Sequence, residues 1–76
     1  MIEINLKLSI ALVRYYPKGS GPLEVEIGTT AGSLIRKLGI PDEAVSLIFI
    51  NGKKAMPDQA LAENDQVGFF PLVAGG

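Results

Sequence analysis

Ile2, Ile4, Leu6, Leu8, Ile10 and Leu12 alternate with more polar neighbours, Glu3, Asn5, Lys7 and Ser9, at the start of the chain. A period of two over this length puts the apolar side chains on one side of an extended backbone, the pattern of a strand with one buried face. The constraint is strong, because a slip of one residue in pairing would turn the whole apolar set toward water. The chain must therefore supply partner strands and an apolar layer to cover that face. The alternation predicts one long first strand over residues 2–12.

The next segments provide both. Pro17, Gly19, Gly21 and Pro22 mark residues 14–22 as a loop, with Tyr15 and Tyr16 read as packing at its edge. Leu23, Val25 and Ile27 alternate with Glu24 and Glu26, a second strand suited to antiparallel pairing with the first. Gly28 ends it, and the hydroxyl of Thr29 or Thr30 is placed to cap a helix. Ala31, Leu34, Ile35 and Leu38 then recur at helical spacing as a single apolar stripe, with Arg36 and Lys37 near the negative end of the dipole. Gly39 fits the left-handed position after a helix, Ile40 folds back onto the last turn, and Pro41 stops it. At about two and a half turns such a helix must pack on the sheet to persist. The glycine spacing here matches no nucleotide-binding fingerprint, so Gly32 reads as tolerated backbone near the helix start.

Residues 45–50, apolar apart from Ser46, are consistent with a covered strand, and Asn51-Gly52 is a strong hairpin signal because a type I′ turn needs positive φ at both central positions. Lys53, Lys54 and Ala55 make a short edge strand whose lysines discourage further pairing. Residues 56–63 read as an irregular turn anchored by Leu61, and Asn64-Asp65 turns the chain into a last strand. There Val67, Phe69 and Pro71 alternate with Gln66, Gly68 and Phe70. The order is strand, strand, helix, strand, short strand, strand. It predicts an α+β chain of the β-grasp, or ubiquitin-like, type: a mixed sheet of four to five strands packed on one main helix, with the last strand beside the first. Residues 1–71 form the single domain and 72–76 a flexible tail ending in Gly-Gly. Many unrelated functions use such scaffolds, so function has to come from particular residues.

Composition removes most catalytic classes. With 76 residues there is room for one small domain, and 47% hydrophobic residues suffice for a core. The absence of Cys and His leaves no thiolate nucleophile, no imidazole base and none of the usual zinc, haem or iron–sulfur ligands. No carboxylate pair has the setting of a glycosidase dyad or calcium loop, so the acidic residues read as solvated surface charges. Seven basic and eight acidic residues are scattered to a net charge of −1, which argues against nucleic-acid binding. No apolar run approaches the roughly 20 residues that span a bilayer, and the start lacks the basic and apolar blocks of a signal peptide. The expectation is a soluble cytoplasmic protein with no membrane partner, no metal site and no permanently bound cofactor.

What remains is Phe70-Pro71-Leu72-Val73-Ala74-Gly75-Gly76. Pro71 removes a backbone donor and ends strand pairing, so an ordered strand launches a short arm. Two residues without Cβ make a thread that fits a narrow channel. A terminal carboxylate is ionised at neutral pH and is a poor electrophile until a partner enzyme activates it. Once activated, its acyl group can take a sulfur nucleophile or an amine.

Asn51-Gly52-Lys53, residues 61–67 (Leu-Ala-Glu-Asn-Asp-Gln-Val), Phe69-Phe70-Pro71 and Val73-Ala74-Gly75-Gly76, together with the helix region from Thr29 to Pro41, resemble the MoaD/ThiS sulfur carriers, and most of all the small subunit of molybdopterin synthase. The resemblance implies a carrier that is not an enzyme on its own. An E1-like adenylating enzyme using ATP and Mg would activate Gly76, and a sulfur donor such as a cysteine desulfurase or rhodanese would convert it to a thiocarboxylate. The large subunit of molybdopterin synthase would receive the tail for molybdenum or tungsten cofactor synthesis. Gly75 would give clearance in the channel, Leu72, Val73 and Ala74 would dock, and Phe70 and Pro71 would orient the exit. This chain departs from the family's pattern at Pro71-Leu72, where two prolines are usual, at Asn64-Asp65, and around residues 14–17. Carriers for thiamine or sulfur amino acid synthesis, and a ubiquitin-like modifier conjugated through Gly76, are therefore the alternatives.

Overall fold

A computed structural model describes residues 1–71. Five strands form one mixed sheet: β1 (Ile2–Leu8), β2 (Gly21–Val25), β3 (Leu47–Ile50), β4 (Lys53–Lys54) and β5 (Gln66–Phe70), in the spatial order β2-β1-β5-β3-β4. One helix, α1 (Ala31–Lys37), follows β2. Only β1 and β5 are parallel, paired from Asn5↔Gln66 to Leu8↔Phe69; the other pairs are antiparallel. This is the β-grasp arrangement, with the last strand in the centre between the first and the third.

The alternation in β1 does what its period requires. Ile4, Leu6 and Leu8 are buried while Glu3 and Lys7 are exposed. Val25, Ile48, Ile50, Val67 and Phe69 join them in one core with Ala31, Leu34, Ile35 and Leu38 of the helix. Phe69, Ile4 and Val67 are wholly excluded from water. At about 25 cal/mol per Å² of apolar surface removed from water, this shared face is the main term holding so short a helix in place.

The first strand is shorter than its apolar pattern. It ends at Leu8, where the Ser9 hydroxyl accepts from the Ala11 N–H and caps a 3-10 turn over Ile10–Leu12. The turn sends Leu12 into the core and leaves Ile10 90% exposed, so an unbroken alternation continues across a bend. The second strand likewise stops at Val25, leaving Ile27 exposed. The third begins at Leu47, two residues later than its apolar run, after a 3-10 turn over Asp42–Ala44 and an extended Val45.

Thr30 is the helix cap. The Ser33 N–H donates to its hydroxyl, and the Thr30 N–H donates to the Ser33 hydroxyl, a reciprocal box. The helix spans seven residues, about two turns, shorter than its apolar stripe. Its first N–H groups, which no helix satisfies internally, are taken by the loop that precedes β5. Ala31 donates to the Gln59 carbonyl at 3.0 Å and Gly32 to the Pro57 carbonyl at 2.8 Å. Gly32 is therefore a close-approach position rather than tolerated backbone: a Cβ there would lie 3.2 Å from Pro57 Cβ and from its carbonyl oxygen. At the other end Gly39 has φ of 80° and Ile40 folds back into the core, its N–H donating to the Ile35 carbonyl.

Asn51 and Gly52 have φ of 56° and 82°, the left-handed pair of a type I′ hairpin. Asn51 also ties the hairpin to β5. Its side-chain oxygen accepts from the Gln66 N–H, and its amide nitrogen donates to Asp65 Oδ1, both at 2.9 Å. Asp65 Oδ2 accepts from the Ala62 N–H at 2.8 Å. The expectation that all carboxylates are solvated fails here, since Asp65 is only 9% exposed and fastens the irregular loop to the start of the central strand.

Candidate functional site

Of the residues expected to present the chain to a partner, the structure describes Phe70 and Pro71. Leu72, Val73, Ala74, Gly75 and Gly76 lie outside the described residues. Phe70 closes β5. Its carbonyl accepts from the Ser46 N–H at 2.9 Å, and its partner across the ladder is Leu47. The last residue of the strand is thus paired on the β3 side, and on the other side the Ser9 N–H donates to the Phe69 carbonyl. Pro71, with no N–H to offer, follows at the point where the ladder ends. Pairing on both sides therefore holds the end of β5 in place up to Pro71.

The face of the sheet opposite the helix has its own composition. Cross-strand pairing lines up Lys7 of β1, Gly68 of β5, Phe49 of β3 and Lys54 of β4 in one row. Phe49 and Phe70 meet edge to face, with ring centroids 5.8 Å apart. The Phe70 ring lies back over Gly68 so closely that a Cβ there would stand 2.9 Å from its Cε2. Lys7, Phe49, Gly52, Gln66, Gly68 and Phe70 line a cleft of about 280 Å³ on this face. Lys7, Phe49 and Gly68 were not singled out by the sequence. Only the strand register brings them together, since β1 and β5 are far apart in the chain.

A second cleft, about 570 Å³, lies at the turn between β2 and α1, beside Ile27 and Ser33. The charged groups at its mouth are exposed and paired: Arg36 with Asp42 at 3.4 Å and Lys37 with Glu26 at 3.7 Å. Among the described residues no three metal-ligating side chains gather, and no helix is long and apolar enough to cross a membrane.

The fold is similar to several solved structures. Small archaeal modifier protein 1 of Haloferax volcanii superposes with a TM-score of 0.74 at 19% identity, over 96% of this chain and 100% of that one. A Pyrococcus furiosus protein assigned as molybdopterin converting factor subunit 1 gives 0.75 at 20% identity, over 96% and 100%. Urm1 of Trypanosoma brucei gives 0.68 at 18% identity, over 97% and 95%. These likenesses establish the ubiquitin-like β-grasp fold. No curated protein matches the sequence significantly. The ThiS family model matches residues 11–76, which takes in the helix, the central strand and the Gly-Gly residues, and the chain therefore belongs to the ThiS family.

Proposed function

We propose that the protein is a sulfur carrier whose Gly76 carboxylate is the working group. The observation that carries this reading is the family match, which runs through β5 and on through residue 76. The anchoring of Phe70 and Pro71 at the end of the central strand supports it, because a rigid base fixes the origin of the arm that a partner must capture. In the first step a carboxylate oxygen attacks the α-phosphorus of Mg-bound ATP in an E1-like enzyme and pyrophosphate leaves. The outer sulfur of a persulfide carried by a desulfurase or rhodanese then attacks the acyl carbon, and AMP departs with the oxygen, leaving an acyl disulfide. A thiol cleaves its S–S bond, forming a disulfide with the donor's cysteine and releasing the thiocarboxylate, so that one carboxylate oxygen has become sulfur. Gly75 and Gly76 leave the acyl carbon unobstructed. The favoured acceptor is the precursor of the molybdenum or tungsten cofactor, held by a large subunit of the molybdopterin synthase type.

Intact mass after incubation with an activating enzyme, MgATP and sulfide tests the reading. The expected result is a gain equal to replacing one oxygen by sulfur, absent when Gly76 is deleted. An unchanged mass, with the enzyme active on its own carrier, would overturn it. A second reading, conjugation of Gly76 to lysine amines, is favoured by the likeness in fold to small archaeal modifier protein 1 and Urm1. It predicts high-mass conjugates that vanish when Gly75 and Gly76 are removed.

A further inference from the structure

Asn51 is the only one of the chain's three asparagines that glycine follows; Asn5 precedes Leu6 and Asn64 precedes Asp65. The amide carbon of an asparagine side chain is an electrophile toward the next backbone nitrogen, and glycine, with no Cβ, hinders that approach least. In an unfolded chain Asn51-Gly52 is therefore the pair most prone to deamidation. In the fold both residues are exposed, so burial does not protect them. Hydrogen bonds do. Asn51 Oδ1 accepts from the Gln66 N–H and Asn51 Nδ2 donates to Asp65 Oδ1, both at 2.9 Å, while the Asn51 N–H donates to the Gln66 carbonyl at 2.8 Å. Asp65 is held in turn by the Ala62 N–H.

We propose that Asn51-Gly52 is a latent deamidation site that the start of β5 keeps closed, with Asp65 as its guard. To react, the Gly52 nitrogen passes its proton to water and bonds to Asn51 Cγ. The Cγ–Nδ2 bond breaks and ammonia leaves with a proton returned by water, so that a five-membered imide remains. One water then opens the ring at either carbonyl and gives aspartate or isoaspartate; nothing is oxidised or reduced. Bringing Cγ onto the Gly52 nitrogen turns both amide atoms away from β5, and two hydrogen bonds break first, one of them to a carboxylate. The reaction therefore waits on local opening of the hairpin from β5. Its product cannot close again in the same way. An aspartate at this position has no N–H for Asp65 and sets a second carboxylate against one that is only 9% exposed. Isoaspartate adds a methylene to the backbone of a turn whose two φ values, 56° and 82°, suit the hairpin as it stands. Either product loosens the β3–β4 hairpin from the strand that carries Phe70.

The test follows the three asparagines by peptide mapping of the full chain during incubation at neutral pH. Unfolded in urea, the chain should react first at Asn51; folded, it should react there about a hundredfold more slowly. The Gln66 N–H, whose acceptor is Asn51 Oδ1, should be protected from hydrogen exchange by the same factor within about threefold, because one opening governs both. Asp65→Ala is expected to speed the reaction of the folded protein about tenfold. Val25→Ala, which weakens the core from β2 without touching the network, is the control and should stay within about twofold of wild type. Equal rates at Asn51 in the folded and unfolded chain, or an unfolded chain that reacts no faster at Asn51 than at Asn5, would overturn the site. Equal rates for the Asp65 and Val25 variants would remove Asp65 as its guard. Should Asp65→Ala fail to fold, the wild-type exchange measurement decides: slowing that matches the buried Val67 and Phe69 amides instead of Gln66 would assign protection to global stability and overturn the local lock.

Discussion

Phe69 and Phe70 are neighbours in one strand and belong to different problems. Phe69 points to the helix side of the sheet and is wholly buried; Phe70 points to the open side and is half-buried against Phe49. The helix side is almost wholly apolar, and its residues are exchanged for water only on unfolding. The open side mixes aromatic, cationic and acidic residues and gains little stability from most of them. The difference shows where the demand of core packing ends, a boundary set by the pleat of β5 and two residues wide.

Removing Phe69 should break the comparison from the helix side. Phe69→Ala is expected to cost about 3–5 kcal/mol, a large fraction of the stability of so small a domain, and to appear as a fall in the urea midpoint or as failure to fold. Asp65→Ala comes next, since it leaves the Asn51 amide and the Ala62 N–H without their acceptor; about 1–3 kcal/mol is expected by chemical denaturation. Phe70→Ala should lose the edge-to-face pair, worth about 0.5–1.5 kcal/mol, together with a modest burial term, and leave a folded protein by circular dichroism. Lys7→Glu sharpens the contrast most at least cost. Its effect on the melting temperature should stay within the equivalent of about 0.5 kcal/mol.

Local signals were read correctly from the sequence because their physics is local. Asn51-Gly52 and Gly39 need positive φ, and no partner elsewhere in the chain is required to see it. A hydroxyl cap at Thr29 or Thr30 was legible in the same way, and it is Thr30; the reciprocal Ser33 hydroxyl emerges only from the structure. Errors arose where an outcome depended on distant backbone. Ile10 continues the apolar alternation, yet the Ser9 cap bends the chain and leaves Ile10 in water. Asp65 is kept from solvent by Asn51, fourteen residues away, and Gly32 by the carbonyl of Pro57. The Gly-Gly residues were conspicuous in the sequence, and the family match extends over them. The cleft beside Phe70 was not, because Lys7 and Gly68 become neighbours only through the parallel pairing of β1 with β5.

That pairing also orders events during synthesis. Residues 66–70 supply the strand on which both β1 and β3 depend, so ribosome-bound chains lacking them have two half-sheets with no common neighbour. At about 5–20 residues per second the wait is brief, yet the core cannot close until residue 70 has been made. A product terminated before residue 66 would therefore expose its apolar strands and be degraded as unfolded protein instead of accumulating as a folded body.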